Sequence, residues 1–239
     1  MYFVHAPVIW ERFPALVPGL LLVEGVDAQA GVDAHIEPLL ARAKERLAAV
    51  SAESELAEVQ AWRRAYAQMG MKPTQYRSAA EALLRRFRRE GALPRLHPLV
   101  DLCNAASLAF ALPVAVFDLA GVAEYIEVRP ARGDEEYLAF SGEVERPEPG
   151  EVIFADAAGQ VHARRWTFRQ SRRSAVSDTT RRALIVSEGL HAGAAADVAA
   201  LIDTLEAAIT SVWGPPAGRA TLSAESPRWD LPDASGAAR

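Results

Sequence analysis

The sequence predicts an α+β fold, a mixed sheet flanked by helices, and three observations predict it. Windows with helical period fill positions 36 to 112. From position 113 the pattern changes to short β-branched or aromatic runs punctuated by Gly, Pro and Asp. One further amphipathic window then runs to position 213. Helices dominate the first half and strands the second, which is the α+β signature.

Each element follows in order. The opening "MYFVHAPVIWERFPALVPGLLLVEGV" holds two apolar runs, at 2–4 and 19–24, separated by prolines and charges; both read as strands with a loop between them. In "IEPLLARAKERLAAV", Leu39, Leu40, Leu47 and Val50 recur at helical spacing with charges between. "SELAEVQAWRRAYAQMG" continues as helix and stops at Gly70, a natural terminator. Ser78 and Glu81 stand at capping-box spacing and open a helix through Leu83, Leu84 and Phe87 to Gly91. Pro98 suits a first helical position, and Leu99, Val100, Cys103, Ser107 and Leu108 continue that helix. Then "PVAVFDL", "YIEVRPA", "EEYLAFS", "EVIFADA", "QVHARRWTFRQ" and "RALIVSEG" read as strands, with "ADAAGQVHARRW" as a hairpin. "AAADVAALIDTLEAAITSVW" is the last helix. Residues 214–239 are rich in Pro, Gly, Ala and Ser, which predicts a disordered tail behind a single domain at 1–213.

Composition bounds the function. Of 239 residues, 50% are hydrophobic and 24% charged, ordinary for a soluble globular protein, and the net charge of −5 is not that of a general nucleic-acid binder. The lone Cys103 excludes an internal disulfide and fits a reducing cytoplasm. No apolar run has the length of a membrane span, and the N-terminus lacks the basic-then-apolar pattern of a secretory signal. A cytoplasmic protein without membrane or DNA partners is expected.

Two segments run against the acidic balance. Residues 77–95 carry six arginines, among them Arg85, Arg86 and Arg89, against two glutamates, a net of +4. Residues 162–182 carry seven, among them Arg164, Arg165, Arg172 and Arg173, against one aspartate, a net of +6. Arginine suits bidentate grip on phosphate, and Trp166 and Phe168 lie among these residues, to stack on bases or simply to pack. A solvated helix face and an ordinary strand surface explain either segment alone; two in an acidic protein point to a phosphate-rich partner. The five histidines, His5, His35, His97, His162 and His191, have no metal-ligand spacing, so neither metal nor cofactor is expected. Glycine-rich phosphate loops and G-x-S-x-G are missing, and "RGD" at 132–134 reads as a turn. Cys103 reads as small core filling or as a nucleophile. Asn104 sits mid-helix against its propensity, which calls for solvent or a specific hydrogen bond. Glu188 ends an apolar strand, where ligand-binding side chains often collect.

"LPRLHPLVDLCNAASLAFALPVAVFDL" resembles a segment of the bacterial phenylalanyl-tRNA synthetase β subunit through Pro98, Val100, Asp101, Asn104, Pro113, Phe117 and Asp118. The stretch from "YIEVRPARGDEEYLAF" to "FADAAGQVHARRW" resembles that family's continuation, and "TTRRALIVSEG" its closing strand and Glu. Together these resemble the B3/B4 editing domain, here as a stand-alone chain, over roughly residues 70–190. The resemblance implies a B3/B4-like sheet with helices and a pocket that hydrolyses the ester of a mischarged tRNA without metal or covalent nucleophile. It implies Asn104 and Glu188 as the catalytic pair, and Cys103, Ala115, Arg164, Arg165 and Trp166 along the substrate. Arg85, Arg86, Arg89, Arg172 and Arg173 are the candidate RNA contacts. Two departures stand out: Ala115 replaces the family's His, and "ARRWTFRQS" replaces a Gly-rich stretch. Three functions follow: a trans-editing hydrolase acting on aminoacyl-tRNA, a non-catalytic tRNA-binding or other RNA-binding module, or a binder of small amino-acid derivatives.

Overall fold

The computed structural model describes residues 1–234. Its elements run β1 (Tyr2–His5), α1 (Pro7–Arg12), β2 (Val17–Glu24), α2 (Asp33–Ala48), α3 (Ala57–Gln68), α4 (Ala79–Glu90) and α5 (Pro98–Phe110). The strand-rich half follows as β3 (Val114–Asp118), β4 (Tyr125–Pro130), β5 (Glu136–Leu138), β6 (Val144–Glu145), β7 (Val152–Ala155), β8 (Gln160–Arg164), β9 (Arg169–Gln170) and β10 (Arg182–Gly189). The chain ends with α6 (Ala194–Trp213), β11 (Gly218–Thr221) and β12 (Arg228–Asp230). The α+β class read from the sequence is the observed one.

The strands form two sheets. One has the order β12-β1-β4-β7-β8-β5-β6 with β9 on β8, and it is mixed, because β1 pairs parallel to β4 and β5 parallel to β8. The other, β11-β2-β10-β3, is antiparallel throughout. Alternation along a strand sends successive side chains to opposite faces. In β10, Leu184 and Val186 join Phe3, Leu20, Leu22, Phe117 and Phe154 in a core between the sheets. Ala183 and Ile185 join Leu21, Val23 and residues of α2, α5 and α6 on the other face. Helix α6 lies so close to β2 that a Cβ at Gly19 would meet the side chains of Val198 and Ile202.

The helix boundaries follow the expected chemistry. Ser78 accepts the N–H of Glu81 at the start of α4, and Gly91 ends it at φ 74°. The Glu81 side chain does not complete the capping box; it pairs with Arg63 and Arg77. Pro98 opens α5, capped by the His97 side chain.

Three readings are corrected. The loop expected between the first strands contains α1, whose Ile9 and Trp10 are buried. The single strand expected over "QVHARRWTFRQ" is broken into β8 and β9 by a turn at 165–168. The expected tail is ordered over 214–234: β11 pairs with β2 and β12 with β1, and Leu222 and Leu231 are buried. Open sheet edges supply the backbone partners that its composition did not advertise. Residues 235–239 of that tail lie outside the described residues.

Candidate functional site

Glu188 shares the alternation of Leu184 and Val186, so it leaves β10 on the inter-sheet face, at the end of that core. It is only 2% exposed. One carboxylate oxygen lies 2.7 Å from His5 Nε2, and the other accepts the Trp166 indole N–H at 2.9 Å. His5 reaches it because β1 alternates, turning Phe3 and His5 inward. Indole nitrogen only donates, so Trp166 fixes the role of that oxygen; the other bond assigns the His5 ring proton to Nε2. His5 Nδ1 is buried without a hydrogen-bond partner.

Above Glu188 lies a cavity of about 60 Å³, lined among others by Ala115, Phe154, Trp166, Phe168 and Gln170. A water occupies about 30 Å³ in the liquid, so the hollow has room for about two. The turn at 165–168 forms its wall. Arg165 and Trp166 adopt φ of 48° and 57°, the left-handed region that non-glycine residues enter at a cost of about 1–2 kcal/mol each. Three bonds hold them there: Trp166 N–H to the Val152 carbonyl, Arg165 N–H to Glu151, and the Tyr66 hydroxyl to the Arg165 carbonyl. The indole packs edge-on against Phe13 and Trp62, with centroids 4.8 and 5.1 Å away.

On the other side of this turn a wider cleft of about 450 Å³ opens between the 69–76 loop and the 148–152 turn. Arg165 lies over the Tyr76 ring at 4.6 Å, and Tyr76 meets Phe168 edge-on at 5.6 Å. The turn thus contributes to both hollows, Arg165 to the cleft and Trp166, Thr167 and Phe168 to the cavity.

The other predicted site residues divide clearly. Ala115 and Trp166 line the small cavity with Glu188, and Arg165 lines the wider cleft. Asn104 does not line that cavity: α5 covers the helical face of the four-stranded sheet, whereas Glu188 points from the opposite face. The expected convergence of the two side chains is therefore not formed. Cys103 is buried in the helical core, where burial pushes its thiol pKa well up, so it neither touches substrate nor offers a thiolate. Arg164 is also removed from the substrate. It pairs bidentately with Glu151, at 2.8 and 2.9 Å, and with Glu145, and it is 3% exposed. The Glu151 hydrogen bond raises its pKa further.

Most arginines of the 77–95 segment have acidic partners. Arg77 pairs with Glu81, Arg86 and Arg89 share Glu90, Arg88 pairs with Glu53, and Arg95 pairs with Asp33 and Asp101. Among the described residues of the two segments Arg85, Arg172, Arg173 and Arg181 are exposed and make no ion pair.

Two other clusters have the composition of a site. Ser174 Oγ lies 2.9 Å from His162 Nδ1, and His162 Nε2 lies 3.1 Å from Asp156. Ser174 and His162 are 0% exposed, and Asp156 also accepts N–H groups of Ala123, Ala158 and Gln160. No substrate reaches that hydroxyl; the chain of bonds ties the hairpin to its neighbours. Glu58, His191 and Asp197 bring potential metal-ligand atoms within 4.8 Å of one another. Glu58 is held by Arg46 at 2.6 Å and His191 by Asp197 at 2.8 Å, so a cation would have to displace a guanidinium.

His5 was missed as a site residue. Its signal was parity: in "YFVH" it shares the inward face with Phe3, and a buried imidazole requires a partner.

A family model, the B3/4 domain, matches residues 61–204, more than half of the chain. The chain belongs to the B3/4 domain family. It is 33% identical over 73 residues to the phenylalanine–tRNA ligase β subunit of Cereibacter sphaeroides, a match covering 30% of this chain and 9% of that subunit. A solved N-terminal fragment of the phenylalanyl-tRNA synthetase β subunit from Pyrococcus horikoshii superposes with a TM-score of 0.44 and 10% identity. That superposition covers 92% of this chain and 49% of the fragment. The B3/4 match includes Glu188, Trp166 and Ala115, but His5 lies before it. No helix among the described residues is long and apolar enough to cross a membrane.

Proposed function

We propose that this B3/4 protein associates with tRNA and hydrolyses the ester that joins an amino acid to the tRNA 3′ end. The observation that carries the reading is the Glu188 carboxylate, held by two donors under a cavity with room for water. A base fixed in this way takes a proton from water as the oxygen attacks the ester carbonyl, and returns it to the departing ribose oxygen. The products are the free amino acid and a free 3′ end, so the atoms balance without a co-reactant. His5 and Trp166 orient the base. The wider cleft suits the terminal nucleoside, with the Tyr76 ring to stack on and Arg165 to meet phosphate.

Deacylation of a panel of mischarged tRNAs tests this. Glu188→Gln is expected to slow turnover by about 10²–10⁴-fold, the usual worth of a general base. Equal rates in both proteins, or no turnover by wild type on any ester, would overturn the reading.

One observation favours a non-catalytic RNA module instead: both Glu188 oxygens already have partners, while Arg172 and Arg173 stand exposed. That reading expects tRNA affinity that falls steeply with salt and is indifferent to Glu188→Gln.

A further inference from the structure

We propose that Trp166 sets which acyl groups the cavity accepts, restricting them to amino acids with very small side chains such as glycine, alanine and serine. The substrate class rests on the hydrolase reading above; the size limit rests on the cavity itself.

The backbone gives the first reason. Two successive non-glycine residues, Arg165 and Trp166, are held in the left-handed region by three hydrogen bonds. Such strain persists only where the surroundings over-determine it, and here its consequence is to swing an indole into the cavity wall. The cavity gives the second. At about 60 Å³ it is smaller than the roughly 150 Å³ apolar cavity that takes up benzene. A hollow of that size suits a methyl or hydroxymethyl group better than an aromatic ring. The hydrogen bond gives the third. The indole N–H is anchored to a Glu188 oxygen at 2.9 Å, so the ring is held in the space that a larger side chain would need. Phe13 and Trp62 pack against the indole and prevent it from swinging away.

The test has two arms. In the first, glycyl-, alanyl-, seryl- and tyrosyl-tRNA are offered to wild type, Trp166→Gly and Trp166→Phe. Wild type is expected to prefer the three small esters over the tyrosyl ester by at least roughly 100-fold in kcat/KM. Trp166→Gly is expected to lose that preference. Trp166→Phe keeps a ring in the core if the glycine variant does not fold, and it is expected to narrow the preference by roughly tenfold because a shorter ring leaves space. In the second arm, binding of p-cresol is followed by NMR on the same three proteins. Wild type is expected not to bind it, and the variants to bind it with a Glu188-dependent shift.

Turnover that ignores side-chain size, or p-cresol bound beside Trp166 in wild type, would overturn the proposal while leaving the hydrolase reading in place. If wild type cleaves none of the esters, the hydrolase reading fails and with it the acyl substrate. The p-cresol arm then decides the size limit alone.

Discussion

Replacing Glu188 with alanine strands two buried donors, the ring N–H of His5 and the indole N–H of Trp166. Each unsatisfied buried donor costs about 1–3 kcal/mol, so the loss of stability is roughly 2–6 kcal/mol before any cavity cost. Glutamine behaves differently. Its amide oxygen accepts from Trp166, and its NH₂ faces His5 Nε2. That clash is relieved if the ring proton moves to Nδ1, a buried atom with no hydrogen-bond partner, so one donor is left unpaired in place of two. Glu188→Gln is therefore expected to cost about 1–3 kcal/mol, roughly half the alanine loss. Urea unfolding followed by tryptophan fluorescence measures both variants against wild type. A double-mutant cycle with His5→Ala separates the imidazole's share. Equal costs for alanine and glutamine, or a cost for alanine below about 1 kcal/mol, would refute the bonded network.

Other perturbations follow from the same contacts. Arg164→Ala leaves the Glu151 carboxylate buried without its guanidinium and is expected to destabilise by about 3–5 kcal/mol in urea titrations. Arg164→Lys should restore only part of this, because an ammonium cannot make the paired fork. Burial pushes the Glu135 carboxyl pKa up, but the N–H groups of Arg132 and Gly133 and the Arg129 guanidinium outweigh it and hold the group at about 2, below its ordinary 4.5. A depressed carboxyl contributes fully above its unfolded pKa, and the contribution is lost as pH falls from 4.5 towards 2. Glu135→Gln should therefore remove up to roughly 3 kcal/mol at neutral pH and flatten the acid limb of a stability-versus-pH curve. The buried Cys103 thiol should react with a chromogenic disulfide reagent at the rate of unfolding, and immediately once urea exposes it.

The sequence made some parts legible and hid others, for physical reasons. Helices α2 to α6 were readable because their apolar spacing and caps are local, as at Ser78 and Gly91. The β7–β8 hairpin was readable for the same reason. Strands β11 and β12 were hidden because their partners, β2 and β1, lie about two hundred residues away and nothing in a Pro- and Gly-rich stretch encodes that pairing. In the candidate site, Glu188 was legible as a charge ending an apolar strand. Arg164 was misread because its partners, Glu145 and Glu151, fall outside the window that made the segment look basic. Asn104 was misread because resemblance supplies spacing along the chain, not the face of the sheet on which a helix lies. The left-handed turn at Arg165 and Trp166 had no local signal, since neither residue is the glycine such a backbone prefers.

The most direct test of the account is a crystal structure of the protein with alanyl-adenosine in which a stable amide replaces the ester. The alanyl methyl is expected in the cavity beside Trp166, a water between the carbonyl carbon and Glu188, and the adenine near Tyr76. An alanyl group seated elsewhere, or a Glu188 carboxylate turned away from its carbonyl, would contradict it.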